Sequence, residues 1–494
     1  MKTAIFTCVL ALSGATAWAQ DWPTLDARTR ALGGAGVAFA DGRGESMYWN
    51  PASLAVGAEK PFDFSTGFAF SLSTFVDVHA TDNIASDVTK ITDQYEFYNF
   101  QQVQADWESG NVTAADVQNV LKIVDNLNRL NDPGKGVLVG AGASFNLRVG
   151  PFGLFVNVLG NVGVSPVVDF SGVGFTSDPT FFNNVPPASG TPTAAEAGLS
   201  AQLQARAGLS ATDADKLAFH AQQSLGDAAI SDPAFVNAMV ALSQGTGGST
   251  NLYNNPSGVF VRGLAQAEIG ISFALPLLPT LLDVGVSLKE IVSETSFRFI
   301  SYAEQDSGDD IGETIREDLR DNRVRSTNFN FDLGARLMPL EWLTLSMAAR
   351  NLIPMDITYK GPGKMHMDPQ VRLGAMASAL GFIKVGVDID LLENESPVLP
   401  GYFTRQVGVG LEFDLPVFKI RVGYAKNLAF ASDHGRLAAG IGLDLLGFVI
   451  DIGAQASLHE IEYQPATLDG TDSKETFFSD HVNAGITIGL NLPF

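Results

Sequence analysis

The sequence predicts an all-β protein: a transmembrane antiparallel β-barrel of about 14 strands, with an N-terminal plug and helical insertions in its extracellular loops. Three observations predict it. The carboxy-terminal half is a series of segments that alternate apolar and polar residues at period two. The connectors between those segments alternate between very short and long. No window after residue 19 approaches the roughly 20 apolar residues of a membrane helix.

The alternation is cleanest at the end of the chain. Val482, Ala484, Ile486, Ile488, Leu490, Leu492 and Phe494 form one side, and Asn483, Gly485, Thr487, Gly489, Asn491 and Pro493 the other. Such a strand has one greasy and one wet face. A terminal aromatic such as Phe494 resembles the assembly signal of bacterial outer-membrane barrels, which would make the barrel assembly machinery a partner. Ile383 to Leu391, Phe403 to Leu415, Leu437 to Leu445 and Phe448 to Leu458 repeat the pattern, as do Val371 to Ala379, Leu343 to Ala349 and Phe329 to Leu337. Each has about the 9–11 residues that a tilted membrane strand needs.

Candidate strands start near Phe62, Lys135, Phe152, Val259, Leu281, Arg325, Trp342, Val371, Phe382, Phe403, Phe418, Arg436, Phe448 and His481. Short turns such as Leu380-Gly381, Leu415-Pro416 and Leu446-Gly447 separate them in pairs. Between the pairs run long connections at 79–134, 165–257, 299–323, 353–368, 393–402, 427–435 and 459–479. A Greek-key sandwich has no reason to alternate in this way, whereas an up-and-down barrel with short periplasmic turns and long outer loops does. The even count places both mature termini on the periplasmic side.

Residues 1–19 read as a secretory signal peptide: Lys2, a short apolar stretch from Ala4 to Gly14, and the small-x-small site Ala17-Trp18-Ala19. The single cysteine, Cys8, falls inside it, so neither disulfides nor a cysteine metal site is expected. The expected location is the cell outer membrane, with outer-membrane lipid around the barrel. A net charge of −23 argues against nucleic acid as a partner.

Two insertions do not read as strands. Val117, Val120, Leu121, Val124, Leu127 and Leu130 have helical spacing, and residues 192–244 read as two or three short helices, one starting at Asp232-Pro233. They suit a helical cap over the barrel mouth. Alternation turns many charges inward: Arg262, Glu268, Asp283, Asp332, Arg336, Arg350, Arg372, Lys384, Asp388, Glu412, Asp414, Lys419, Arg421, Arg436, Asp444 and Asp451. An unpaired buried charge is costly, so most are expected to pair across the lumen, with a minority lining a solute path.

Residues 20–61 do not alternate and read as a compact plug preceding a barrel of residues 62–494. The segment holds Gly33, Gly34 and Gly36, then Asp41, then Asn50-Pro51-Ala52. The glycines permit close backbone approach, and Asn-Pro favours a turn. A nucleotide-binding reading fails, because no apolar strand precedes the glycines and their spacing is incomplete.

Leu32-Gly33-Gly34-Ala35-Gly36-Val37-Ala38, Asp41 and Asn50-Pro51-Ala52 resemble the amino-terminal hatch of the long-chain fatty-acid transporter (FadL) superfamily of outer-membrane barrels. The carboxy-terminal half is similar to one branch, the conjugal transfer protein TraF-type barrels, in Val371 to Ala375, Gln406 to Asp414, Ile420 to Asn427 and Leu437 to Asp451. The resemblance implies a hatch in the lumen positioned by Asn50, Pro51 and Ala52. It also implies sideways exit of hydrophobic ligands at a kinked strand, for which Gly160-Asn161-Val162-Gly163 is the candidate. The function expected is passive transport of hydrophobic small molecules. The alternative is a plugged barrel serving a conjugation- or secretion-type envelope assembly without transport. The partner would be a hydrophobic ligand in the first case and an envelope protein complex in the second. Catalysis is not expected: the histidines at 79, 220, 366, 434, 459 and 481 lack an adjacent nucleophile motif, and Gly-x-Ser-x-Gly is absent. No His pair has metal-ligand spacing, so neither metal nor cofactor is expected.

Overall fold

The computed structural model describes residues 22–81, 111–170, 185–244, 257–301, 321–361, 363–430, 433–463 and 475–492, together with Ile84, Asp106, Ser109 and Asn183. The expected signal peptide and the terminal Phe494 lie outside the described residues.

Fourteen antiparallel strands close into one barrel. Counting barrel strands only, they are β1 (Phe68–Thr81), β2 (Gly136–Val149), β3 (Phe152–Val167), β4 (Gly258–Leu278), β5 (Leu282–Ser301), β6 (Val324–Leu340) and β7 (Leu343–Arg350). The second half comprises β8 (Gln370–Ala379), β9 (Ile383–Asp390), β10 (Gln406–Asp414), β11 (Phe418–Asn427), β12 (Arg436–Leu445), β13 (Phe448–Ser457) and β14 (His481–Leu492). Every strand pairs with its neighbours in sequence, and β14 closes on β1 from Phe68↔Leu492 to His79↔His481. Closure removes the sheet edges that would otherwise leave backbone groups unsatisfied in lipid.

Two strand starts differ from the sequence reading. β1 begins at Phe68 and not at Phe62, because Asp63 caps a short turn at Phe64–Thr66. Phe403 belongs to a separate two-residue pairing with Asn394–Glu395, so β10 starts at Gln406. The expected kink at Gly160–Gly163 is also absent. Those residues keep unbroken register with β2 and β4, from Ala141↔Gly160 to Leu138↔Gly163 and from Gly160↔Ala265 to Gly163↔Arg262.

The barrel's outer face is apolar, with Ile271, Leu288, Phe329, Ile420, Ile441 and Ile452 at least half or nearly half exposed. On β14, Val482, Ile486 and Ile488 face out while Asn483 and Thr487 are buried, as alternation requires. The turns at one end are tight. Leu446 and Gly447 both take positive φ, 53° and 88°, as do Leu380 and Gly381, the geometry of two-residue hairpins. Among the described residues no helix is long and apolar enough to cross a membrane.

The amino-terminal segment and two of the long connections carry helices among the described residues. The segment contains α1 (Ala27–Ala31), α2 (Ser46–Trp49) and a 3₁₀ turn at Pro51–Ala55. The connection after β1 carries α3 (Ala114–Arg129), started by a Thr113–Asp116 capping box. The connection after β3 carries α4 (Ala194–Gln202), α5 (Ala211–Ile230) and α6 (Pro233–Gln244). Val117, Leu121, Leu199, Leu217, Phe235 and Met239 join these helices in one apolar core of their own.

Candidate functional site

The amino-terminal segment is buried from Trp22 to Ala55 almost throughout, against the inward faces of the strands. Its local order starts at Asp26. One carboxylate oxygen accepts from the backbone N–H of Thr29 at 2.7 Å and caps α1. The other accepts from Trp49 Nε1 at 2.7 Å. Trp49 stacks on Trp22 with ring centroids 6.0 Å apart, and Gly36 packs so tightly that a Cβ there would lie 2.1 Å from the indole. Tyr48 donates to the Pro23 carbonyl at 2.9 Å.

Asn50 joins the segment to the wall. Its Oδ1 accepts from Ala52 N at 3.0 Å, and its Nδ2 donates to the carbonyls of Ala335 on β6 at 3.0 Å and Met347 on β7 at 3.4 Å. Pro51 starts the 3₁₀ turn. Gly334 makes room for Asn50, since a Cβ there would be 2.0 Å from Oδ1; a Cβ at Gly285 would be 2.4 Å from the Pro51 carbonyl carbon.

A row of inward glycines, at least one on each strand from β8 to β13, forms the bed for residues 27–39. They include Gly374, Gly386, Gly408, Gly410, Gly423, Gly440 and Gly453. A Cβ at Gly408 would approach the Gly33 carbonyl oxygen to 2.3 Å, and one at Gly453 the Ala27 oxygen to 2.0 Å. Gly33 and Gly34 take positive φ, 67° and 86°, and end α1 against this bed.

Charge completes the attachment. Arg28 forms a two-toothed bond to Glu412, Nε to Oε2 and Nη2 to Oε1, both 2.9 Å, and pairs with Asp41 at 2.9 Å. Arg421 bridges Glu412 at 2.7 Å and Asp451 at 2.6 Å, and Arg43 lies 3.7 Å from both Asp41 and Asp451. Lys384 contacts Glu412 at 3.5 Å and Asp414 at 2.6 Å; Lys419 pairs with Asp414, and with Asp444 at 3.6 Å. Burial opposes ionisation of Asp41, but Arg28, Arg43 and Lys384 outweigh it and hold its carboxyl well below the usual range. At Glu45 burial dominates; Arg43 pulls the other way and Asp26 adds repulsion, and the carboxyl is pushed up to about 7.

A second group spans β4 to β7. Glu268 accepts from Arg350 at 2.8 Å, Lys289 at 3.3 Å and Asn157 at 3.3 Å; Lys289 also pairs with Asp332 at 2.9 Å. The Arg350 guanidinium lies 4.1 Å from the centroid of Tyr48, and that of Arg372 4.9 Å from Trp22, so both charges stack on rings of the amino-terminal segment. Arg372 also binds Asp390 through Nε at 2.6 Å. Asp388 accepts from the N–H groups of Val37 and Ala38 at 2.7 and 2.8 Å. Asp283 and Arg336 pair at 3.2 Å. Arg262 sits half-buried between Phe260 and Phe297, 5.3 and 5.5 Å from their ring centres. Arg436 donates to Gln406 at 2.7 Å and lies 3.2 Å from His481.

The structure therefore brings Asp41, Glu412, Arg421 and Asp451 into one cluster, and Glu268, Asp332 and Arg350 into another. The sequence reading omitted Arg28, Arg43, Lys289 and Arg148. Lys289 shares the parity of Asp283, so alternation could have found it. Arg148 follows Ser144 and Asn146 inward and donates to the Leu54 carbonyl at 3.0 Å. Arg28 and Arg43 lie in a segment with no period to read.

Toward the long-loop end the lumen is filled by apolar residues. Leu138, Leu264 and Ile291 from the strands meet Ile357, Tyr359, Val398 and Leu399 from two infolded connections. Tyr359 donates to the Pro397 carbonyl at 2.8 Å and ties those connections together.

Comparison with solved structures finds the Pseudomonas putida toluene transporter TodX, at 11% identity with a TM-score of 0.44, covering 96% of this chain and 100% of that one. A Pseudomonas aeruginosa FadL homologue is similar at 10% identity and a TM-score of 0.42, covering 97% and 100%. The CymD monoaromatic hydrocarbon channel is similar at 10% identity and 0.42, covering 95% and 97%. No curated protein matches the sequence. The family described as "F plasmid transfer operon, TraF, protein" matches residues 47–390, more than half of the sequence, and the chain belongs to that family.

Proposed function

We propose that the protein is an outer-membrane barrel of the transport type that is closed at rest, and that small hydrophobic molecules pass only when its amino-terminal segment moves. One observation carries this reading: residues 22–55 fill the lumen and are held to the wall by hydrogen bonds and ion pairs, centred on Arg28 and Glu412. In this reading residues 20–61 are a hatch, with Asn50-Pro51-Ala52 as its anchor on the wall. A lumen filled with paired charge counts against free passage, and the unbroken ladders around β3 supply no side exit there. Both features support a gated conduit over an open one.

The unbroken wall, together with the transfer-operon family, favours a second reading in which the barrel is a permanently sealed component of an envelope assembly. Proteoliposomes separate the two. Uptake of N-phenyl-naphthylamine above protein-free vesicles, rising when residues 21–61 are deleted, supports the conduit. No uptake with either chain, and a stable envelope complex on affinity capture from cells, supports the assembly role.

A further inference from the structure

Two connections that are distant in sequence meet at the long-loop end of β11 to β14, one of them through both of its ends. His434 lies in the connection between β11 and β12, His459 follows β13, and Asp480 precedes β14. Backbone bonds fix their approach: Leu458 N donates to the Gly435 carbonyl at 3.2 Å, Asp480 N to the His459 carbonyl at 3.2 Å, and Ala80 N on β1 to the Asp480 carbonyl at 2.7 Å.

One ligand atom from each of His434, His459 and Asp480 lies within 4.8 Å of the others. Asp480 Oδ2 is 3.2 Å from His459 Nδ1 and 3.9 Å from His434 Nδ1. A tetrahedral ion with bonds near 2.0–2.1 Å holds its ligand atoms about 3.3 Å apart, so these separations need only small adjustment. His459 Nδ1 is shielded from solvent and makes no hydrogen bond among the described residues, although the Asp480 carboxylate is 3.2 Å away. The two imidazoles stack with centroids 4.1 Å apart and planes 9° from parallel.

We infer that His434, His459 and Asp480 form a binding site for a divalent first-row transition ion of the Zn²⁺ class. Two imidazole nitrogens and one carboxylate oxygen suit such an ion far better than Ca²⁺ or Mg²⁺, which prefer oxygen alone. Three protein ligands leave a fourth position for water on the solvent side. Ring lone pairs lie in the ring plane, so binding turns the stacked imidazoles apart until both point at the ion. The ion then bolts the connection at 428–435 to both ends of the connection at 458–480. The site escaped the sequence reading because its ligands come from three separate places and share no local spacing.

The test uses the whole mature chain without a polyhistidine tag, in detergent, titrated with Zn²⁺ against a chromophoric chelator. One equivalent should bind with micromolar or tighter affinity. His434→Ala, His459→Ala and Asp480→Asn should each weaken binding at least tenfold, and His366→Ala should leave it unchanged. X-ray absorption at the zinc edge should show two imidazoles and one carboxylate oxygen. On the unmutated chain, Zn²⁺ should protect His434 and His459 from diethylpyrocarbonate while His366 stays reactive, a readout independent of variant folding. Absence of binding at millimolar Zn²⁺, or binding and protection that ignore these residues, overturns the inference.

Discussion

Arg28 and Glu412 are 384 residues apart, yet both guanidinium edge nitrogens meet both carboxylate oxygens at 2.9 Å. The pair fastens α1 to β10, and both side chains are almost wholly buried. Removing one partner of a buried pair leaves a bare charge, at a cost of about 3–5 kcal/mol. Glu412→Gln removes the carboxylate that Arg28 and Arg421 share, leaving Arg28 only Asp41 and Arg421 only Asp451, and should release the amino-terminal segment while the barrel persists. Limited proteolysis should then cut within residues 22–61 at least a hundredfold faster than in the parent chain. Heat-modifiable mobility on a gel should be unchanged.

Asn50 satisfies two wall carbonyls and one N–H of its own turn. Asn50→Ala should weaken docking of the segment by about 2 kcal/mol, from the lost cap and the carbonyls left without a donor. Urea titration followed by tryptophan emission checks this, since Trp22 and Trp49 are buried only while the segment is docked. An unchanged midpoint would remove Asn50 as the anchor.

Gly408 tests the glycine bed. Its Cβ position lies 2.3 Å from the Gly33 carbonyl oxygen, so Gly408→Val cannot be accommodated without moving α1. The variant should insert as a barrel with the amino-terminal segment displaced. Gly381→Val, at the short-turn end where a Cβ meets nothing within 4 Å, should leave docking unaffected, although the positive φ there costs turn stability.

Glu45 gives the docked segment a pH dependence. Its carboxyl is raised to about 7 when docked, from an ordinary value of 4.5. The docked state therefore holds the proton more tightly, and its contribution is full below about 4.5 and lost as pH rises through about 7. Proteolysis of residues 22–61 should be slower at pH 6 than at pH 8. Glu45→Gln should flatten that difference and protect the segment at pH 8.

The barrel was legible because its signals are local. Period-two alternation as on β14, and turns such as Leu446-Gly447, each declare themselves within a dozen residues. The two misplaced starts, at Phe62 and Phe403, arose where an apolar residue precedes a strand but is held by a neighbouring turn or hairpin. The lumen was legible by half. Parity shows that Glu412 and Asp451 face inward, but nothing in the sequence pairs Glu412 with Arg28 or Asp451 with Arg421. Those partners are chosen by barrel register and by the path of a non-periodic segment. Gly160–Gly163 misled because glycines in a strand suggest a kink. Here Gly163 admits the Val398 carbonyl, to which a Cβ would come within 2.2 Å.

The central claim is that residues 22–55 close the lumen at rest, and ionic conductance across a planar bilayer tests it most directly. The parent chain should be silent, and a chain lacking residues 21–61 should give stable single-channel steps, with Glu412→Gln flickering between the two states. A parent chain that conducts steadily, or a deleted chain that inserts and remains silent, would contradict the account.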